Sequence, residues 1–237
     1  MDTARIAALL HPFMERTLPE VQLQQISTYI DLLLRWNARI NLTAIRDPDE
    51  IVTRHFGESF FLARHLFPLA DGWGDGLSDK ACPEPAEGSV RPTLSNTCVL
   101  DIGAGAGFPG LPLKIWAPAI SLTLVESNHK KAAFLREVIR ALTLTDVNVI
   151  TARAETLAAQ NDPALPPADI VTLRAVERFD AILPVAARLL APSGRLALLI
   201  GSTQLSTLTT LAPTIHWQPP IPIPQSHSRV LSIGIPH

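Results

Sequence analysis

Val99-Leu100-Asp101-Ile102-Gly103-Ala104-Gly105-Ala106-Gly107-Phe108-Pro109-Gly110 decides how this chain is read. The apolar run at its start suits a strand buried on both faces of a sheet. Four glycines then fall within eight positions. A loop of that composition takes up positive φ and brings bare peptide N–H groups close to a ligand. An ordinary strand-to-helix turn does not need so many glycines.

A second apolar run, Leu122-Thr123-Leu124-Val125, ends at Glu126, about 20 residues after the glycines, where a nucleotide-binding fold places its ribose-binding carboxylate. Gly105 to Gly110 formally satisfies G-x-G-x-x-G, a weak match by itself. Pro109 and Pro112 lack the N–H groups that a pyrophosphate collects from the first helical turn. Asp101, acidic and close to the loop, also favours a ligand with a cationic end. The residues therefore point to an adenosine carrying a positive charge, S-adenosylmethionine, over a dinucleotide. A nicotinamide-dependent oxidoreductase is the competing reading.

Strands expected at Val99–Ile102, Ser121–Val125, Val147–Thr151, Ile170–Leu173 and Arg195–Ile200 alternate with helices, notably Asn128–Leu142 and Arg178–Leu190. That alternation predicts an α/β fold with helices on both faces of a parallel sheet. Its ligand lies at the carboxyl ends of the strands. The glycine loop, Glu126, Ala152–Glu155 and Arg174 all follow strand ends, so they are expected to converge on one cleft. Thr214–Trp217 and Arg229–Ile233 are expected to close the sheet as an antiparallel pair around the stiff Pro219–Pro224 run.

Residues 1–70 read as an N-terminal helical cap, 71–97 as a flexible insertion rich in Gly and Pro, and 98–237 as the catalytic domain. Thr17-Leu18-Pro19-Glu20 has the form of a capping box, and Asp47-Pro48-Asp49-Glu50 that of a second helix start. The chain has 237 residues, 47% hydrophobic, enough for one α/β domain with an extension. No apolar run has membrane-spanning length and no secretory signal is apparent. Cys82 and Cys98 have no metal-ligand spacing, so no metal site is expected and a reducing, cytoplasmic compartment fits. A net charge of −2 means that any RNA contact must come from a local patch.

The chain resembles the bacterial 16S ribosomal RNA guanine-N7 methyltransferases, the glucose-inhibited division protein B family. Carrying the resemblance are Leu33-Leu34-Arg35-Trp36-Asn37-Ala38-Arg39-Ile40-Asn41-Leu42-Thr43, Arg46-Asp47-Pro48, Arg54-His55, the glycine loop with Phe108-Pro109-Gly110, Lys130-Lys131, Phe134-Leu135-Arg136 and Arg174-Ala175. It implies a seven-stranded, Rossmann-like methyltransferase sheet under a helical cap. It also implies S-adenosylmethionine as donor and one guanine of 16S rRNA, guanine 527 in the usual rRNA numbering, as acceptor. By motif position it implies cofactor contacts at Gly103, Phe108, Ala154, Glu155 and Arg174; Gly105 and Glu126 join them from the residue reading. Ile200, Leu173 and Glu58 depart from the family pattern, which commonly has lysine, a small residue and aspartate there. Retention of the fold without activity, as an RNA-binding ribosome-assembly protein, is the second alternative.

Guanine N7 is an unprotonated lone pair on the major-groove edge, so its methylation needs positioning and no general base. No catalytic triad is expected, and none is found in the sequence. Arg54, His55 and Arg174 are the candidates for direct contact with the reacting groups. Arg54, Lys130, Lys131 and Arg136 are the candidates for RNA phosphate contact. Trp36 reads as core. The expected partner is 16S rRNA or the small ribosomal subunit, with no membrane and no protein partner evident.

Overall fold

A computed structural model describes residues 1–14, 16–67, 97–160 and 167–237. The expected insertion over 71–97 lies outside the described residues except for Thr97. In chain order the helices α1 (Thr3–Leu10), α2 (Glu20–Asn37), α3 (Pro48–Glu50) and α4 (Glu58–Leu66) come first, with a π-helical stretch Ile51–Gly57 joining α3 to α4. Then β1 (Cys98–Ile102), α5 (Gly110–Trp116), β2 (Ser121–Val125), α6 (His129–Ala141), β3 (Val147–Ile150), α7 (Ala154–Gln160), β4 (Ala168–Arg174), α8 (Phe179–Arg188) and β5 (Leu190–Gly201) alternate. The chain closes with α9 (Leu208–Leu211), β6 (Ile215–Trp217), β7 (Ile221–Pro222) and β8 (Arg229–Pro236).

The sheet order is β3-β2-β1-β4-β5-β8-β6, parallel from β3 to β5 and antiparallel at β8 and β6. The expected seven strands form this path. An eighth, β7, lies off it: two residues inside the proline run pair with β8, a placement open to proline because an edge position leaves its missing donor unneeded. The chain order reverses beside β1, whose neighbours are β2 and β4, and this fixes the ligand cleft at the carboxyl ends of those strands.

Apolar residues cover the sheet on both faces. One core runs from Ile6 and Leu33 of the cap through Phe108, Leu124 and Phe134 to Ile233, so cap and sheet share a single interior. The other packs α7, α8 and α9 beneath β4 and β5. Ile200 is buried in this second core, a site for a branched hydrophobe on the central part of the sheet. Trp36 packs against the first core, its ring 5.7 Å from that of Phe134, as expected.

Local signals set the helix ends. Asp47 Oδ1 accepts the Glu50 N–H at 2.9 Å with Pro48 in the first turn, as the sequence indicates. Asn128 Oδ1 likewise accepts the N–H groups of Lys130 and Lys131 at 2.9 and 3.2 Å. The Thr17–Glu20 capping box does not form. Pro19 is extended, with ψ 148°, and caps α2 without a side-chain bond, while Glu20 accepts from Gln24 at 2.9 Å.

Candidate active site

The glycine loop leaves β1 in left-handed conformations, with φ of +70° at Gly103, +55° at Gly105 and +91° at Gly107. At Gly107 the requirement is also steric. A Cβ there would overlap the hydroxyl of Tyr29, which reaches from α2 to donate to the carbonyl of Ala106. Gln22, also on α2, donates to Ile115 O at 2.7 Å, so the cap and the loop-bearing segment are fastened at two levels.

Glu126, at the end of β2, is nearly buried. One carboxylate oxygen accepts the Gly105 N–H at 2.8 Å and the other the Asn128 N–H at 2.7 Å. The carboxylate is thereby held rigidly at the rim of a cavity of about 540 Å³, with lone pairs left for a ligand. Gly103, Gly105, Phe108, Glu126, Ala154, Glu155 and Arg174 all line this cavity, so the seven residues expected at a cofactor converge. His55 and Lys131 line it as well.

Asp101 does not line it. The carboxylate is fully buried, accepting from Gly110 N and Thr172 Oγ1, each at 2.9 Å, and burial pushes its pKa up to about 7. The expectation that its charge draws a cationic ligand is therefore corrected: Asp101 fastens the start of α5 to the sheet. The same contact occupies the Gly110 N–H, and Leu111 N bonds to Gly107 O at 2.9 Å. With Pro109 and Pro112 alongside, the first turn of α5 keeps few donors for a pyrophosphate, which removes the physical basis of a dinucleotide site.

The cap meets the end of β4 through Glu58, 1% exposed. Its Oε2 accepts from Arg174 Nη2 at 3.1 Å, and its Oε1 lies 3.2 Å from Arg54 Nε and 3.1 Å from Arg229 Nε. The departure from aspartate at this position supplies a carboxylate that reaches three guanidinium groups. Arg174 also donates to Arg54 O at 2.9 Å and to His55 Nδ1 at 3.0 Å. A guanidinium can only donate, so Nδ1 accepts and the imidazole proton sits on Nε2, directed at Thr43 Oγ1 at 2.8 Å. Burial, then the charges of Arg174, Arg54 and Arg229, push the His55 pKa down to about 2. His55 is a neutral, fully committed imidazole stacked on Phe108 at 4.7 Å, and it has no lone pair for general-base work.

The four RNA-contact candidates occupy different environments. Lys130 is exposed at the start of α6, and Lys131 sits at the cavity rim. Arg54 is partly exposed but shared with Glu58 and Glu50. Arg136 is exposed while donating to Val149 O at 3.1 Å and Thr151 Oγ1 at 2.9 Å. Among the described residues no helix is long and apolar enough to cross a membrane, and no cluster of metal-ligating side chains occurs.

Sequence reasoning passed over Tyr29 and Arg229, and over the part that Asn37 and Thr43 play. Asn37 Oδ1 accepts the Leu42 and Thr43 N–H groups at 2.9 and 3.1 Å while its Nδ2 donates to Thr43 O at 2.9 Å. This side-chain clamp accounts for Asn37 and delivers Thr43 to the cavity.

Residues 22–71 and 89–218 match the family described as rRNA small subunit methyltransferase G. The ribosomal RNA small subunit methyltransferase G of Roseiflexus sp. (strain RS-1) is 43% identical over 185 residues, covering 75% of this chain and 67% of that protein. Its namesake in Xylella fastidiosa (strain 9a5c) is 36% identical over 200 residues, covering 84% and 78%. A chain of the fibrillarin/NOP5P complex superposes with a TM-score of 0.51 at 14% identity, over 63% of this chain and 77% of that one, a likeness of fold.

Proposed function

The chain belongs to the rRNA small subunit methyltransferase G family, and from that premise we propose that it transfers a methyl group from S-adenosylmethionine to N7 of one guanine in 16S rRNA. The observation that carries this reading is the cavity itself: a left-handed glycine loop and a tethered carboxylate on one side, and on the other a buried arginine–histidine pair with no free base. Bound there, S-adenosylmethionine supplies an electrophilic methyl carbon on a sulfonium.

The residues present fit that ligand. Glu126 would offer its remaining lone pairs to ribose hydroxyls, Ala154 and Glu155 past β3 would border the base, and the glycines would leave room for the rest of the molecule. Arg174 is spent on Glu58, Arg54 O and His55, so its part is to shape the acceptor side. The commitment of both His55 nitrogens agrees with N7 as the nucleophile, because a guanine lone pair gives up no proton when it forms the new bond and needs no base beside it. Catalysis then rests on alignment, which supplies about 7–11 kcal/mol when reacting atoms are held in line. Lys130, exposed, and Lys131, at the cavity rim, contact phosphates of the rRNA or of the small subunit, and Arg54 and Arg136 join them where they leave their present partners. The reaction takes place in the cytoplasm, where that substrate is found.

The test is transfer of a labelled methyl group to small subunits, and separately to naked 16S rRNA, that lack the modification, with mass-spectrometric mapping of the labelled base. Label at a single 7-methylguanosine is the expected result. Label at another base, or none on either substrate, would overturn the proposal.

A further inference from the structure

The hydrogen-bond polarity around Thr43 is fixed from both sides. Glu58 Oε2 and Arg54 O hold Arg174, Arg174 donates to His55 Nδ1, and the His55 proton must then sit on Nε2, facing Thr43 Oγ1. The strong depression of the His55 pKa keeps the ring in this one neutral form across the physiological range. The Ile45 N–H donates to the same Thr43 oxygen at 3.2 Å. A hydroxyl oxygen has two lone pairs and one hydrogen. Both lone pairs are taken, so toward a ligand Thr43 is a donor only.

Its position is as constrained as its polarity. Asn37 grips the backbone N–H and C=O of Thr43, and Thr43 lines the cavity. The sheet order puts the ends of β2 and β3, with Glu126 and Glu155, on one side of β1, and the end of β4, with Arg174, on the other. Thr43, joined to Arg174 through His55, belongs to the β4 side, away from the carboxylate that suits a ribose.

A purine that presents N7 presents its 6-substituent on the same edge: a carbonyl acceptor in guanine, an amino donor in adenine. We propose that the Thr43 hydroxyl donates to O6 of the target guanine and is the specificity-determining contact that admits guanine and rejects adenine. The inference rests on the N7-methyltransferase reading above. An amino group brought to this hydroxyl faces a donor with no lone pair to offer, and the two repel; a guanine carbonyl completes the chain of hydrogen bonds that begins at Glu58.

The experiment uses small subunits or RNA fragments whose target position carries guanosine, inosine or 2-aminopurine. Inosine keeps both N7 and O6; 2-aminopurine keeps N7 and lacks O6. The unaltered protein is expected to methylate guanosine and inosine with similar kcat/KM, and 2-aminopurine on the order of tenfold less efficiently, the effect of one hydrogen bond. Thr43→Val is expected to lower kcat/KM on guanosine and inosine to the 2-aminopurine level, Thr43→Ser to restore it, and neither to change S-adenosylmethionine affinity in a calorimetric titration. Equal rates on guanosine and 2-aminopurine with the unaltered protein overturn the inference without any variant. So does a Thr43→Val protein that keeps its preference but binds the cofactor less tightly, which would assign the hydroxyl to the cofactor. Failure of the unaltered protein to methylate any of the three RNAs is a different result, and it takes the functional reading down as well.

Discussion

Glu58 Oε2 accepts from Arg174 Nη2 at 3.1 Å, joining the cap to the carboxyl end of β4 across 116 positions of sequence. Both side chains are almost wholly withdrawn from water, at 1% and 9% exposure, so the pair is costly to break from one side. Glu58→Ala leaves Arg174 and Arg229 without their counter-ion and is expected to destabilise the fold by about 3–5 kcal/mol. Arg54, partly exposed, adds little because solvent screens it. Denaturant unfolding of the variant checks the figure. A loss below about 1 kcal/mol would mean that the arginines relax into water.

Glu126→Ala is expected to weaken S-adenosylmethionine binding by about 1.5–3 kcal/mol, the usual range for hydrogen bonds to a charged group. The same change releases the N–H groups of Gly105 and Asn128, both of which lie beside the cavity. Calorimetric titration of the cofactor reads the effect. Affinity equal to that of the unaltered protein would reduce Glu126 to a loop tether.

The pH dependence of stability contains two opposed contributions. His55 has its pKa pushed from 6.5 to about 2, so below pH 6.5 the unfolded chain takes up a proton that the native protein refuses, and stability falls on acidification. Asp101 is pushed from 3.8 to about 7, so the native protein keeps a proton that the unfolded chain loses above pH 3.8. That contribution is present at low pH and is lost as pH rises through 7. Between pH 3.8 and 6.5 the slopes oppose each other, each at most about 1.4 kcal/mol per pH unit. Asp101→Asn removes one of them, and the variant is expected to lose stability more steeply than the unaltered protein between those limits as pH falls. Urea titrations at several pH values check this, and parallel profiles would show that Asp101 ionises normally in the fold.

Much of this architecture is legible in the sequence because its signals are local. The β2 boundaries follow from an apolar run closed by Glu126, and α6 starts where Asn128 caps it. Convergence of Gly103, Glu126, Glu155 and Arg174 follows from strand ends alone once the sheet is parallel. What is not legible depends on partners far apart in the chain. The fixed tautomer of His55 needs Arg174, 119 positions away, and Tyr29 reads as one more apolar position of α2 until Ala106 stands beside it. Asp101 misleads for the same reason: its position suggests a charge near the ligand, whereas Gly110 and Thr172 enclose it in the core.

The RNA face offers the prediction most exposed to failure. Lys130 and Lys131 follow the Asn128 cap at the start of α6, beside the cavity, and among the described residues no carboxylate is ion-paired with either. Arg54 and Arg136, by contrast, are already engaged with Glu58 and with β3. If the lysines meet phosphates, Lys130→Gln with Lys131→Gln should weaken RNA binding at low salt and leave cofactor affinity nearly unchanged. Every phosphate that is no longer neutralised should flatten the slope of log affinity against log salt by about 0.7–0.9. Adding Arg54→Gln and Arg136→Gln should flatten it further only where those guanidiniums leave their present partners for the RNA. Filter binding to 16S rRNA at several salt concentrations, beside a cofactor titration, separates the cases. An unchanged slope in the lysine pair would make this edge of α6 an ordinary solvated surface and move the RNA to the Arg54–Arg174 side of the cavity.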